Sequence, residues 1–105
     1  FSDDREKFLE NIVFLSLRRL QNEDIYYYKT KKNHEVDFYL SKRKIFIQVS
    51  QSIIDVNTRQ REVQALLEAM KEIKESTGMI ITEDEKDTLE LEEKTIKVIP
   101  IYEWM

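Results

Sequence analysis

EVDFYLSKRKIFIQVS, residues 35–50, reads as two adjacent β-strands, and the rest of the chain takes its place around them. In EVDFYL the side chains alternate, Val36, Phe38 and Leu40 to one face and Glu35, Asp37 and Tyr39 to the other, which is the period of a half-buried strand. The link Ser41-Lys42-Arg43-Lys44 is polar and short, so KIFIQV is expected to return antiparallel beside it. Asp37 and Gln48 then project from neighbouring strands toward one spot.

Upstream, the pattern from Asp3 or Asp4 to about Gln21 is helical. Phe8, Leu9, Ile12, Val13, Leu17 and Leu20 recur at helical spacing, and the first turn is acidic. Glu10 falls inside this apolar arc, between Leu17 and Phe14, at ~100° per residue. A carboxylate there must be paired, hydrogen-bonded or ion-bound, or reach water from the edge of the arc. Ile25 to Thr30 is rich in β-forming aromatics and predicts the first strand. Its three tyrosines suit either a small aromatic core, the commoner arrangement, or a platform for stacking single-stranded bases. Lys31-Lys32-Asn33-His34 makes the turn that follows, with Asn33 suited to positive φ and His34 exposed at the tip.

Downstream, Gln51 to Asn57 leads into a second helix from about Thr58 to Ser76, whose stripe Val63, Leu66, Leu67, Met70 and Ile73 is a core face. Glu62 lies at its margin and Arg61 points nearly the opposite way. Gly78 is expected as the helix C-terminal residue, ahead of a short buried strand Met79 to Thr82. Strand, helix and buried strand together predict a right-handed parallel crossover. The acidic segment Glu83 to Lys94 is expected as a loop or loose hairpin around Leu89 and Leu91. Thr95 to Ile99 forms a last strand ended by Pro100, and Tyr102 and Trp104 fold back as an aromatic plug. The expected order is αβββαββ, an α/β fold arranged as a three-layer α/β/α sandwich with a mixed sheet.

A length of 105 residues suits one domain, residues 1–105, with a single core. Without cysteine and with His34 as the one histidine, a zinc centre lacks its usual ligands, and any metal here is expected to be a hard, oxygen-bound ion such as magnesium or manganese. No apolar run approaches the ~20 residues of a membrane span and no signal-peptide pattern occurs, which predicts a cytoplasmic protein. A start at phenylalanine, running straight into a helix, points to a fragment of something longer. The net charge of −4 is unevenly spread: Glu83 to Lys94 is acidic, whereas the turns bearing Lys31 and Lys32 and bearing Lys42 and Arg43 are basic. An acidic balance argues against a free-standing high-affinity DNA binder, although the basic turns can touch a phosphate backbone locally or act only as solvated turns.

Glu10 on the first helix and an acid on the second strand resemble the PD-(D/E)XK nuclease superfamily, with its restriction-endonuclease-like fold. That family carries an acidic residue on the third strand and a lysine two positions on; here the aligned positions are Gln48-Val49-Ser50. More closely, Glu10-Asn11-Ile12-Val13-Phe14, Tyr27-Tyr28-Lys29-Thr30, Glu35-Val36-Asp37-Phe38, Ile47-Gln48-Val49, Arg61-Glu62, Ile80-Ile81-Thr82 and Val98-Ile99-Pro100 together are similar to the uncharacterised C-terminal domain that follows a P-loop AAA-type ATPase in many bacterial and archaeal proteins. The resemblance implies an upstream ATPase domain as partner in the same chain. No G-x-x-x-x-G-K-[ST] loop is present, so ATP would be bound only through that absent domain.

The superfamily's chemistry needs carboxylates to hold Mg²⁺ and a cation or base to orient water. Asp37 and Glu10 are the candidate metal ligands. Gln48 offers only a neutral carbonyl and Ser50 no positive charge, while Lys29 and Glu62 are candidate substitutes. The favoured expectation is a non-catalytic, nuclease-like interaction or DNA-contacting module of an ATPase. A divalent-metal nuclease with a displaced ligand is the alternative, and an oligomerising structural domain a third that overlaps the first.

Overall fold

Two hairpins, one crossover and a final hairpin build the sheet. The computed structural model describes residues 2–20 and 23–104. Helix α1 (Ser2–Arg18) is followed by β1 (Ile25–Lys29), β2 (Glu35–Leu40) and β3 (Ile45–Val49), then α2 (Val56–Glu72), β4 (Thr77–Thr82), β5 (Asp87–Leu91), β6 (Lys94–Pro100) and the short α3 (Ile101–Trp104). The strands form one six-stranded sheet in the order β1-β2-β3-β4-β6-β5. The pairs β1·β2, β2·β3 and β5·β6 are antiparallel, and β3·β4 and β4·β6 parallel. The protein is thus an α/β fold with a mixed sheet and, among the described residues, three helices.

The predicted hairpin around residues 41–44 and the crossover through α2 are both present. The face assignment within β2 is not. Tyr26 pairs with Tyr39 but Tyr28 pairs with Val36, so β2 carries one extra residue, a β-bulge, opposite Tyr27. Strict alternation fails across it. Val36 and Tyr39 join the cluster beneath α2, with Phe46, Leu66, Met70, Ile80 and Val98, whereas Phe38 and Leu40 join the cluster beneath α1, with Leu9, Val13, Leu17, Ile47, Val49 and Ile81. Val36, Phe38 and Leu40 therefore do not share a face, because the bulge rotates the strand by one position.

The order αβββαββ also needs correction to αβββαβββα. The acidic segment is a tight hairpin, closed by Glu92 and Glu93 at φ 50° and 65° with Leu91 opposite Lys94. Two left-handed residues match the twist of the flanking strands, a turn more often signalled by Asn-Gly. Helix α2 starts earlier than expected, at Val56, because the Asp55 carboxylate caps it by accepting from Thr58 N–H at 2.9 Å. It ends at Glu72 rather than Ser76. Gly78 is no helix terminus: it lies buried in β4, where a Cβ would sit 3.2 Å from the Met70 thioether, so its smallness admits α2 close to the sheet.

On α1, Phe8 is exposed, since the buried arc centres on Leu9, Val13 and Leu17; Gln21 lies outside the described residues. At the C-terminus Trp104 packs into the α1-side cluster, but Tyr102 is 65% exposed and plugs nothing. No helix among the described residues is long and apolar enough to cross a membrane.

Candidate functional site

Beyond Phe38↔Ile47 the β2·β3 ladder stops pairing backbone to backbone, and side chains take over. Gln48, almost fully buried, accepts from Asp37 N–H through Oε1 at 2.9 Å and donates from Nε2 to the Glu35 carbonyl at 3.0 Å. In return, Asp37 Oδ2 accepts from Val49 N–H at 2.7 Å. Where the β2·β3 ladder ends, two side chains take up the backbone groups beyond it, since buried peptide groups left unpaired are costly.

This fork opens on a cavity of about 260 Å³ between β2, the β1–β2 turn and α2, lined by Asp37, Gln48, Glu62, Arg61, His34 and Glu35 among others. Its carboxylates lack strong cationic partners. Burial, above all, and the negative charges of Glu10, Glu6 and Glu35 push Asp37 up to about 7, against the Val49 hydrogen bond. Glu62 is likewise pushed up to about 7, by burial and by Asp37, with Arg61 opposing; Arg61 Nε stands 3.5 Å from Glu62 Oε1. Burial and Glu6 also raise Glu10, with Lys7 opposing.

The expected residues are only partly brought together. Asp37, Gln48 and Glu62 line the one cavity. Glu10 acts on Asp37 through its charge, yet its side chain lines a separate shallow groove with Lys7, Asn11, Phe14 and Phe38. Ser50 is buried, donating to the Ser52 carbonyl at 2.9 Å. Lys29 is exposed and stands opposite Glu35 in the sheet without lining the cavity. Among the described residues, no three His, Cys, Asp or Glu side chains are grouped so as to hold a metal ion. The sequence reading passed over Glu6, which influences Asp37, Glu62 and Glu10 alike and lies 3.5 Å from Ser50 Oγ. Its spacing of i, i+4 from Glu10 was the available signal. His34, expected at an exposed tip, is half-buried, lines the cavity and contacts the Glu68 carboxylate.

The two basic turns cap opposite ends of β2, about 20 Å apart for a strand of that length. They do not form one patch, and acidic neighbours surround them. Lys32 Nζ is 4.0 Å from Glu68 and Arg43 Nε 3.0 Å from Glu23. Lys31 N–H donates to Glu72 at 2.8 Å, and Lys42 is exposed.

Comparison with known proteins gives two findings. The sequence is 37% identical over 114 residues to "Uncharacterized protein MJ1544" of Methanocaldococcus jannaschii, covering 99% of this chain and 25% of the relative. The chain thus spans about a quarter of that relative's length. Residues 5–104 match the family described as a domain of unknown function (DUF4143), and the chain belongs to that family.

Proposed function

We propose that this domain is a non-catalytic, nuclease-like interaction module of an AAA-type ATPase, its sheet and flanking helices arranged as a three-layer sandwich of the restriction-endonuclease-like kind. The observation that carries this reading is Gln48. Both ends of its amide are spent on the β2 backbone, at 2.9 and 3.0 Å, so the position where the resembled nucleases carry a metal-binding acid serves as a strand-to-strand bridge. Ser50, at the lysine position, is buried, and its hydroxyl donates to the Ser52 carbonyl at 2.9 Å. Neither residue supplies what metal-assisted phosphodiester cleavage needs, namely charge to hold the cation and charge to steer water. A relative about four times as long leaves room for an ATPase module elsewhere in such chains. The interaction half of the reading gains more support than the DNA-contacting half, because the basic turns lie apart and beside carboxylates.

A divalent-metal nuclease is the second reading. It is favoured by the charge influence of Glu6 and Glu10 on Asp37, and of Glu6 and Asp37 on Glu62, repulsion that a bound Mg²⁺ or Mn²⁺ would relieve. Incubation with plasmid and with single-stranded DNA in Mg²⁺ or Mn²⁺ separates the two. The non-catalytic reading expects intact DNA; nicking that disappears in Asp37→Ala would establish the nuclease. For DNA contact, alanine at Lys31, Lys32, Lys42 and Arg43 should leave both affinity and salt slope unchanged if the turns are merely solvated.

A further inference from the structure

The two edges of the sheet differ. At β5, the carboxylate of Asp87 takes up the N–H of Thr88 at 2.8 Å, and Asp87, Glu90, Glu92 and Glu93 line the edge with like charge. These are devices that keep a strand edge from pairing with another chain. At β1, among the described residues, there is neither a run of like charge nor a side chain that caps an outward peptide group. Ser41 N–H donates to the Asp24 carbonyl at 3.2 Å and Thr30 N–H to the His34 carbonyl at 2.8 Å. The peptide groups of residues 24 and 30 therefore face β2, and by strand alternation those of Ile25, Tyr27 and Lys29 face away. Among the described residues, no side chain bonds to those three outward peptide groups. Tyr26 and Tyr27, 53% and 58% exposed, stand on either face of this open edge.

We propose that β1 is a self-complementary dimerisation edge, which pairs antiparallel with β1 of a second copy of this chain about a two-fold axis at Tyr27. The register follows from the outward groups. Tyr27 meets Tyr27 of the partner subunit, and Ile25 meets the partner's Lys29, so each pair joins two residues whose free N–H and C=O both point across the gap. Charge favours the same orientation. The strand is preceded by exposed Asp24 and ends in exposed Lys29 and Lys31, so antiparallel self-pairing sets each acidic start beside a basic end, whereas a parallel pairing would set like beside like. Tyr26 lies across from the partner's Tyr28, an aromatic cross-strand pair. The result is one continuous sheet across two copies. It stops at two, because the two-fold uses both β1 edges and the remaining edges are the guarded β5 strands.

The test is the solution mass of the 105-residue chain across a concentration series, with three variants. The wild-type chain is expected to reach twice the mass of one copy and no more. Tyr27→Pro removes an N–H that β2 does not use, a position where an edge strand tolerates proline; it should stay single while circular dichroism shows an unchanged fold. Tyr27→Asp and Tyr27→Lys each set like charges face to face at the two-fold axis and should raise the dimer dissociation constant roughly tenfold, whereas an equimolar mixture of the two should pair as the wild-type chain does. These variants carry the test if the proline variant fails to fold. Residue-resolved hydrogen exchange should slow with concentration at the amides of Ile25, Tyr27 and Lys29 but not at Tyr28 or Thr30. A chain that stays single at every concentration, growth beyond two copies, a pair that survives in folded Tyr27→Pro, or a mixture of the two charged variants that fails to restore pairing overturns the proposal.

Discussion

Helix α2 presents carboxylates toward the sheet in two places, one satisfied set and one, completed by Asp37 of β2, that is not. Near its C-terminal end, burial pushes Glu68 up, but hydrogen bonds from His34 and Gln64 outweigh it and hold the group below the usual range. Glu72 is held low by the Tyr28 hydroxyl, which donates at 2.6 Å, and by Lys31 N–H. One to two turns earlier, Glu62 faces Asp37 with only Arg61 in partial compensation, and both are pushed up to about 7. Burial acts on both sets; the number of donors differs. The first set fastens the β1–β2 hairpin onto α2, while the second holds destabilised charge around an open cavity, the condition in which a polar site differs from a structural clasp.

The largest effect that tests this contrast is expected at the bridge between the two strands. Gln48→Ala leaves Asp37 N–H and the Glu35 carbonyl unpaired and should cost about 2–4 kcal/mol in urea denaturation. Glu68→Ala removes the acceptor for Thr30, Gln64 and His34 and should cost about 2 kcal/mol. A loss below the error of the measurement would erase the distinction between the clusters.

The opposite sign is expected at the strained set. Because Asp37 and Glu62 titrate higher in the folded than in the unfolded chain, the native state binds more protons between about pH 4 and 7. Their contribution to stability is therefore greatest at the acidic end, falls as pH rises through that window, and is fully lost above it. Asp37→Asn keeps an oxygen for Val49 N–H, so it should gain roughly 1–2 kcal/mol at pH 8 and flatten the pH dependence. A mutant less stable at pH 8 would mean that the carboxylate is paired. The smallest effect is Tyr28→Phe, expected to cost about 1 kcal/mol by loss of the Glu72 hydrogen bond, with the ring still packed on Tyr39 and Phe46.

Much of the scaffold was legible in residue order. The polar link 41–44, the stripe Val63-Leu66-Leu67-Met70 and the apolar run Met79-Ile80-Ile81 carry periodicities that specify hairpin, helix and buried strand, and Asn33 adopts the positive φ that its side chain suits. The Glu92-Glu93 turn was not legible, since two glutamates in left-handed geometry have no local preference for it and are held there by pairing of β5 with β6. The candidate site was half legible. Asp37, Gln48 and Glu62 could be singled out by type and position, but Glu6 reaches Asp37 and Glu62, and His34 reaches Glu68, only across more than two dozen residues of chain.

What the sequence by itself determined is the first helix, the first three strands, the crossover helix and the buried strand after it, the acid on the second strand and the absence of a charged residue at positions 48 and 50, because these are properties of single residues and short periods. What only the tertiary structure decided is how those groups are used. The bulge opposite Tyr27 rotates β2, Asp37 and Gln48 take up the backbone groups beyond the end of the β2·β3 ladder, and α2 brings Glu62 against Asp37 without a strong cation between them. A carboxylate's burial and the partners it finds are set by strands and helices distant in the chain, and that is where clasp and site diverge.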